Sequence, residues 1–220
     1  MAKTKDGDEA EALFKQVFDK YQQAVKINPD NHNAFNNWAN GLAALATTKD
    51  GDEAESLFQQ AFDKYQQAVK INPDNHDTFN NWANGLAALA KTKDGDEAES
   101  LFQQAFDRYQ QAVKIKPDHH EVLNNWGANL AALAKTKDGD EAESLFKQAF
   151  DKYQQADEQG GRCYNLACLY AIRDERNKAL RYLDLSLSKQ EISTSVVVAD
   201  EDWNEYLLDD DFKKTIDKYT

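Results

Sequence analysis

The stretch TKDGDEAESLFQQAFDKYQQAVKINPD, residues 48–74, returns almost unchanged 44 residues later in the chain. Its first segment, TKDGDEAE, begins at Thr4, Thr48, Thr92 and Thr136. Residues 48–91 and 92–135 are identical at 35 of 44 positions, and residues 4–47 match 48–91 at 38 of 44. Self-similarity at a period of 20–50 residues is typical of a solenoid, in which each repeat packs only against its neighbours. The repeat therefore predicts one elongated domain rather than a globule with a single reactive cleft.

One unit, residues 30–73, contains the patterns of two helices. In the first, the apolar residues recur in steps of three and four, which places them on one helix face: Phe35, Trp38, Leu42 and Leu45. Asp30 or Asn31 can cap its start. The second helix, DEAESLFQQAFDKYQQAVKI, carries a broad apolar stripe and ends before Pro73. Each unit is thus a helical hairpin of about 15 and about 20 residues, and stacking is needed to bury both apolar faces.

The connection between the two helices carries turn and capping residues. Gly51 can take the left-handed conformation that ends one helix or opens the next turn. Asp52 with Glu55 three residues later predicts an aspartate version of the capping box at the start of the second helix. The same pair recurs as Asp8 and Glu11, Asp96 and Glu99, and Asp140 and Glu143.

The apolar pattern resembles the tetratricopeptide (TPR) repeat, W-x2-L-G-x2-Y followed by A-x3-F and P. Its residues in the first full unit are Phe35, Trp38, Ala39, Leu42, Ala61, Tyr65, Ala68 and Pro73, and the second unit repeats them. The third unit has Leu123 and Gly127 at two of these positions and Gly160-Gly161 in place of the closing proline. The resemblance implies an all-α fold, a right-handed α–α superhelix (solenoid) of antiparallel helical hairpins. The usual family period is 34 residues, and here ten residues are added between the helices, so both helices should be extended at that end.

The repeat boundaries predict a solenoid over residues 1–192. It comprises a half repeat at 4–29, 44-residue units at 30–73, 74–117 and 118–160, and a repeat of ordinary length at 161–192. Residues 193–220 do not follow the repeat pattern, and their sequence predicts C-terminal capping helices. Asp210 can cap the last of them, which carries Phe212, Ile216 and Tyr219 on one side. Trp203, Tyr206 and Leu207 are expected to fold back on the fourth unit.

Composition excludes several classes of partner. The formal net charge is −13, so nucleic acid and anionic membrane surfaces are not expected as partners. The sequence contains no apolar run of about 18 residues and no signal peptide at its start, so we expect a protein without a membrane span. Cys163 and Cys168 lie five apart in one predicted helix and are expected to be buried thiols in a reducing compartment. These features predict a cytoplasmic location.

Asparagines are the candidate ligand-binding residues. In solenoids that resemble this family, the first helices line the concave face and receive extended peptides or partner helices. The residues that point away from the predicted core are Asn33, Asn36, Asn37 and Asn40, then Asp77, Asn80, Asn81 and Asn84, then Glu121, Asn124 and Asn125. Asparagine is a poor helix former, and its amide can donate to and accept from a peptide backbone. Bonding across neighbouring helices to set the superhelical twist explains these residues equally well.

The charge of this face favours a basic or neutral ligand. Some relatives hold a C-terminal carboxylate with Lys and Arg beside such asparagines, whereas the matching helix starts here are Asn33, Asp77 and Glu121. A carboxylate clamp is therefore not expected. We expect a protein-interaction scaffold that binds a peptide or a partner helix.

A second hypothesis is self-association through the first helix, residues 8–27. Its apolar stripe has no preceding helix to cover one side, and the residues involved are Leu13, Phe14, Val17 and Phe18. Large exposed apolar patches are rare on monomers. Three explanations stay open: the chain was cut from a longer array, the face simply tolerates solvent, or it contacts a second copy, which would make the chain a homo-oligomer.

Catalytic and metal-binding patterns are weak in this sequence. His32, His76, His119 and His120 follow the Pro-Asp turns, and no cysteine or carboxylate lies at ligand spacing on the same helix face, so no metal is expected. KDGD lacks the pattern of a calcium loop and is better explained as a turn and cap. No nucleophile with its base and no phosphate-binding loop appears, so we expect neither an enzyme nor a cofactor. Trp38, Trp82 and Trp126 recur at a predicted core position rather than forming a binding ladder.

Overall fold

A computed structural model describes the backbone of residues 5–220 and the side chains from residue 11 onward. Eleven α-helices and one 3₁₀ helix are defined in this part of the chain. They are α1 Lys5–Ile27, α2 His32–Ala46, α3 Gly51–Ile71, α4 His76–Ala90, α5 Gly95–Ile115, α6 His120–Ala134, α7 Gly139–Glu158, α8 Tyr164–Ile172, α9 Arg176–Ser188, α10 Thr194–Ala199, the 3₁₀ helix Glu201–Tyr206, and α11 Asp210–Asp217. The all-α class of helical hairpins is confirmed.

The chain divides into two compact units, Met1–Pro117 and Asp118–Thr220. The first, called unit 1, contains α1 to α5, and the second, called unit 2, contains α6 to α11. The division falls between the predicted repeats 74–117 and 118–160, while the remaining repeat boundaries stay a prediction.

The first helices of unit 1 begin where the sequence places a cap. The Asn31 side chain accepts a hydrogen bond from the Ala34 amide at 3.0 Å, and Asn75 accepts one from the Thr78 amide at 3.1 Å. Each side chain thereby satisfies one of the free N–H groups that a helix start exposes.

The predicted capping boxes of the second helices are wrong. α3 begins at Gly51, which has a φ of +55°, and the residue before it is the extended Asp50, whose side chain makes no capping bond. The same holds for Asp94 and Asp138, so Asp52, Asp96 and Asp140 lie inside the first turn. Acidic residues there still favour the positive end of the helix dipole. Asp8, in the first predicted box, lies outside the residues whose side chains are described.

Three glutamates of the predicted boxes, Glu11, Glu55 and Glu143, instead form ion pairs with a residue of a following loop. Lys49 contacts Glu11 at 2.7 Å and Glu53 at 2.9 Å, and Lys93 contacts Glu55 at 2.6 Å and Glu97 at 2.9 Å. Hydrogen bonds from Lys49 and then Lys15 lower the pKa of the Glu11 carboxyl to about 2. A lysine in the TKDG loop thus connects two successive second helices of unit 1.

The cores follow the predicted apolar stripes. In unit 1, Phe58 and Tyr65 are each 1% exposed, and Ala39 and Ala61 are fully buried where α2 and α3 meet. Small residues at such positions allow two helices to approach closely. In unit 2, Leu123 is fully buried, and Trp203 is fully buried with its ring stacked on Phe212 at 5.4 Å.

The cap of the last helix lies one residue earlier than predicted. Asp209, rather than Asp210, accepts hydrogen bonds from the Asp211 and Phe212 amides. Asp209 also binds Arg176 of α9 at 2.7 Å, which lowers the pKa of its carboxyl to about 2. This pair holds α11 against the fourth helical hairpin.

The tryptophans are not core residues, contrary to the sequence prediction. Trp38, Trp82 and Trp126 are half-buried, and each ring faces a cation from the next helix: Lys64 at 4.4 Å, Arg108 at 4.2 Å and Lys152 at 4.1 Å from the ring centre. A cation above an aromatic face is attracted by the ring quadrupole. Each ring therefore packs against a charged side chain of the next helix at the edge of the core, and the Trp82 ring also stacks on the buried Tyr65 at 6.4 Å.

Candidate functional site

Several predicted asparagines of unit 1 are engaged inside the protein. Nδ2 of Asn81 on α4 donates to Oδ1 of Asn36 on α2 at 3.3 Å, which links two first helices. The Tyr65 hydroxyl donates to Asn40 at 2.6 Å, and the Tyr109 hydroxyl donates to Asn84. Bonds of this kind are those expected of the structural role that the sequence left open.

The remaining predicted residues of unit 1 differ in exposure. Asn33, Asn37 and Asp77 are exposed, whereas Asn80 is only 5% exposed. Asn36 also donates to Asn37 at 3.2 Å. The outer edge of the α2 and α4 surface therefore offers amide and carboxylate groups to solvent.

In unit 2 the predicted residues Glu121, Asn124 and Asn125 line a cavity of about 500 Å³, called the amide pocket. Its other lining residues are His120, Arg162, Tyr164, Asn165, Glu191 and Ile192. The wall thus combines three amides, one arginine and two carboxylates. Such a set is suited to the polar groups of a peptide backbone.

Two groups of the amide pocket are open to a ligand. Oδ1 of Asn124 is buried and accepts no hydrogen bond from any residue that the structure describes. A buried acceptor without a donor is costly, so a bound N–H group or a water molecule would satisfy it. Arg162 is exposed, and its guanidinium has no ion-pair partner among residues 11–220.

Glu191 is fixed in the wall of the amide pocket. Its carboxylate accepts a hydrogen bond from the Cys163 amide at 2.9 Å and from the Cys163 thiol. The thiol is buried, and burial followed by the nearby Glu191 charge raises its pKa to about 12. The Tyr164 hydroxyl donates to Asp200 at 2.8 Å, so its position in the pocket is fixed as well.

Sequence reasoning missed the half of the amide pocket that lies outside α6. Arg162, Tyr164 and Asn165 come from the start of α8, and Glu191 and Ile192 follow α9. One available signal was Gly160-Gly161 in place of a closing proline. A Cβ at Gly161 would lie 2.6 Å from the Ala156 carbonyl oxygen and 3.2 Å from the Asn124 amide, so only glycine allows this approach.

The predicted self-association face is partly exposed. Leu13 is 57% exposed and Val17 is 43% exposed, whereas Phe14 and Phe18 are half-buried. The equivalent of Val17 in α3 is the fully buried Ala61. The outer side of α1 therefore exposes apolar surface at a position that is buried in α3.

One group in unit 2 has the donor types of a metal site. The ligand atoms of Cys168, Asp200 and Asp202 all lie within 4.8 Å of one another. Each carboxylate already has a protein partner, since Asp200 accepts from Tyr164 and Asp202 binds Lys135 at 2.6 Å. Burial followed by Asp200 raises the pKa of the Cys168 thiol to about 12, which disfavours the thiolate that a metal needs. Hydrogen bonding and packing explain the group.

The fold and its polar surfaces define a helical-repeat protein of the TPR class, the class predicted from the sequence. Two TPR proteins are among the solved structures that are similar to the chain. A thermophilic TPR protein of Thermus thermophilus is 18% identical, with a TM-score of 0.58 over 87% of this chain and 90% of that chain. YrrB, a TPR protein with an unusual peptide-binding site, is 19% identical, with a TM-score of 0.55 over 87% and 85%. At this identity the likeness shows the fold alone.

A family model extends over most of the chain. The plant-specific mitochondrial import receptor subunit TOM20 model matches residues 3–79 and 70–167. The chain therefore belongs to this family. No curated protein matches the sequence. Within residues 5–220, none of the helices has both the length and the apolar character that a bilayer span requires.

Proposed function

We propose that this chain is a receptor module for protein segments and that it binds an extended peptide at the amide pocket of unit 2. The observation that carries the proposal is the unsatisfied Oδ1 of Asn124 in a 500 Å³ cavity lined by amides. The family's description, a mitochondrial import receptor, supports a protein partner. It also suggests mitochondria as the place of action, so the cytoplasmic location stays a prediction.

The chemistry of the pocket matches a peptide backbone. A peptide N–H can donate to Asn124, and peptide carbonyl groups can accept from Asn125, Asn165 and Arg162. Main-chain contacts bind without regard to side-chain identity, which suits a receptor with many partners. Glu121 and Glu191 make a basic or neutral peptide the favoured ligand, mainly through the rate of encounter.

The role of the exposed residues Asn33, Asn37 and Asp77 belongs to the same proposal. They give the first helices of unit 1 an exposed polar surface of their own, which offers a peptide the same amide chemistry. Neither catalysis nor a cofactor enters this function. The absence of enzymatic activity stays a prediction, and it agrees with a family of receptors.

The experiment selects 12-residue peptides from a displayed random library against the full chain and measures the affinity of the best peptide. Asn124→Leu keeps the side-chain size but removes the acceptor, and we expect affinity to fall by about five- to tenfold. Arg162→Ala should weaken binding as well. Asn84→Leu is the matched control, because its amide is engaged by Tyr109. Unchanged affinity in the Asn124 and Arg162 variants would reject the amide pocket.

A second candidate function is self-association through α1. The observation that favours it is the exposure of Leu13 and Val17 on the side that α3 buries. Light scattering across a concentration range should then show species larger than the 25.0 kDa monomer. Leu13→Lys with Val17→Lys should yield monomers without disturbing Phe14 and Phe18. A wild-type chain that is monomeric at every concentration removes this candidate.

A further inference from the structure

α7 exposes two phenylalanines whose counterparts in α3 and α5 are buried. Phe146 and Phe150 lie 88 residues after Phe58 and Phe62 in the repeat. Phe58 is 1% exposed and Phe62 is 7% exposed, whereas both phenylalanines of α7 are half-buried. The following first helix explains the difference, since α4 has 15 residues and α8 has nine. Because α8 ends at Ile172, it leaves this part of α7 uncovered.

A cavity of about 180 Å³, called the α7–α8 pocket, lies over these rings. Phe146, Phe150 and Tyr170 form its apolar surface. The rings of Phe150 and Tyr170 are 5.6 Å apart and nearly perpendicular. This volume is below that of a typical small-molecule site and is suited to one large side chain. Aromatic side chains prefer such edge and offset contacts.

The rim of the α7–α8 pocket is positive. Arg173 binds Glu143 through two hydrogen bonds of 2.8 Å, and Lys178 binds Glu175 at 2.6 Å. Lys147 is exposed and pairs with no carboxylate in the described part of the chain. One lysine charge on the rim is therefore free to attract an acidic group.

The corresponding groove of unit 1 has the opposite charge. It runs between α3 and α5, and its charged lining residues are Glu55, Asp63, Glu97 and Arg108. Gln59 stands there at the position of Lys147. In a chain with a net charge of −13, a positive rim over aromatic rings is a local departure.

We propose that the α7–α8 pocket binds one aromatic side chain of a partner segment that carries acidic residues beside it. The aromatic side chain enters between Phe146, Phe150 and Tyr170, and an adjacent carboxylate pairs with Lys147. An aromatic anchor in a pocket with charged groups at its rim is a common source of binding energy and orientation. The site is separate from the amide pocket and does not depend on the function proposed there.

The test uses two capped tripeptides, Glu-Phe-Glu and Lys-Phe-Lys, titrated into the ¹⁵N-labelled full chain and followed by amide shifts. Glu-Phe-Glu should shift the signals of residues 143–150 and 170–178, with an affinity about fivefold above that of Lys-Phe-Lys. Lys147→Glu should reverse this preference. Gln59→Glu is the matched control and should leave both affinities unchanged. Because Lys147 is exposed and unpaired among described residues, its replacement should not affect folding.

Each other outcome overturns the proposal. Equal affinity for the two peptides would show that the rim charge does not select the ligand. Binding of Glu-Ala-Glu as tight as that of Glu-Phe-Glu would show that the rings do not hold an anchor. Shifts confined to residues 120–125 and 162–165 would place the ligand in the amide pocket instead.

Discussion

The helices α3 and α7 have nearly the same sequence and different surroundings. Residues 51–68 and 139–156 differ only where Gln59 is replaced by Lys147. In α3, Phe58 and Phe62 are buried, and in α7 their counterparts are half-buried beside a pocket. The helix's own sequence therefore does not decide its burial. Its burial depends on the length and composition of the first helices that pack around it.

Tyrosine shows the same dependence on neighbours. The Tyr65 hydroxyl of α3 donates to Asn40, whereas the residue at the matching position beside Tyr153 of α7 is Ala128. Unit 2 reads GAN where the earlier repeats read ANG, at residues 127–129. Gly127 allows the Tyr153 ring to approach, since a Cβ there would lie 2.7 Å from that ring. The changes at these three positions thus alter both packing and hydrogen bonding.

The largest difference in lost stability is expected between alanine variants of Phe58 and Phe146. Phe58→Ala should lower the free energy of unfolding by about 4 kcal/mol, the usual cost of a large-to-small change in a core. Phe146→Ala should cost about half as much, because the ring is already partly in contact with solvent. Urea unfolding followed by circular dichroism measures both. Equal losses would show that α8 covers α7 as completely as α4 covers α3.

A smaller difference in lost stability is expected between phenylalanine variants of Tyr65 and Tyr153. Tyr65→Phe removes a donor to Asn40 and should cost about 1 kcal/mol. Tyr153→Phe should cost less, because Ala128 offers no side-chain acceptor. The same unfolding measurement applies. The double variant, Asn40→Ala with Tyr65→Phe, should lose little more stability than either single variant, because both changes remove the same hydrogen bond. A larger loss for Tyr153→Phe would contradict the assignment.

The repeat predicted the hairpins well because helix periodicity and turn residues are local. The helix bounds at Ile71 and His32 follow directly from Pro73 and Asn31. Capping was predicted less well, since the glycine with positive φ moves the helix start to Gly51 and releases Glu55 to pair with Lys93. That pairing joins residues 38 positions apart, and no local pattern contains it.

The candidate sites were predicted only in part, for the same reason. The pattern selected Glu121, Asn124 and Asn125, which are on one helix of the amide pocket. Glu191 and Arg162 reach that pocket through tertiary packing. The exposed rings of α7 depend on where α8 ends, and the repeat pattern alone treats α7 as a copy of α3. The tryptophans were misplaced because their apolar spacing does not report the cation that packs on each ring.

The smallest effect is expected for the ion pair that α7 makes with α8. A hydrogen bond from Arg173 lowers the pKa of the Glu143 carboxyl. A carboxyl with a lowered pKa stabilises the folded chain above its unfolded pKa, and this stabilisation is lost as pH falls through the folded value. In Arg173→Met, the pKa of Glu143 measured by NMR should therefore rise toward its ordinary value.

The matched variant Glu143→Gln distinguishes this pair from the many other carboxylates. It removes the titrating group, so the stability difference between it and the wild type should be present at neutral pH and vanish in acid. Glu143 is exposed and Arg173 is partly exposed, so the effect should shrink further with added salt. A Glu143 pKa that is unchanged in Arg173→Met would mean that the wall of the α7–α8 pocket is not held by this pair. The aromatic rings would then have to form the pocket unaided, and the contrast between α3 and α7 would depend on helix length alone.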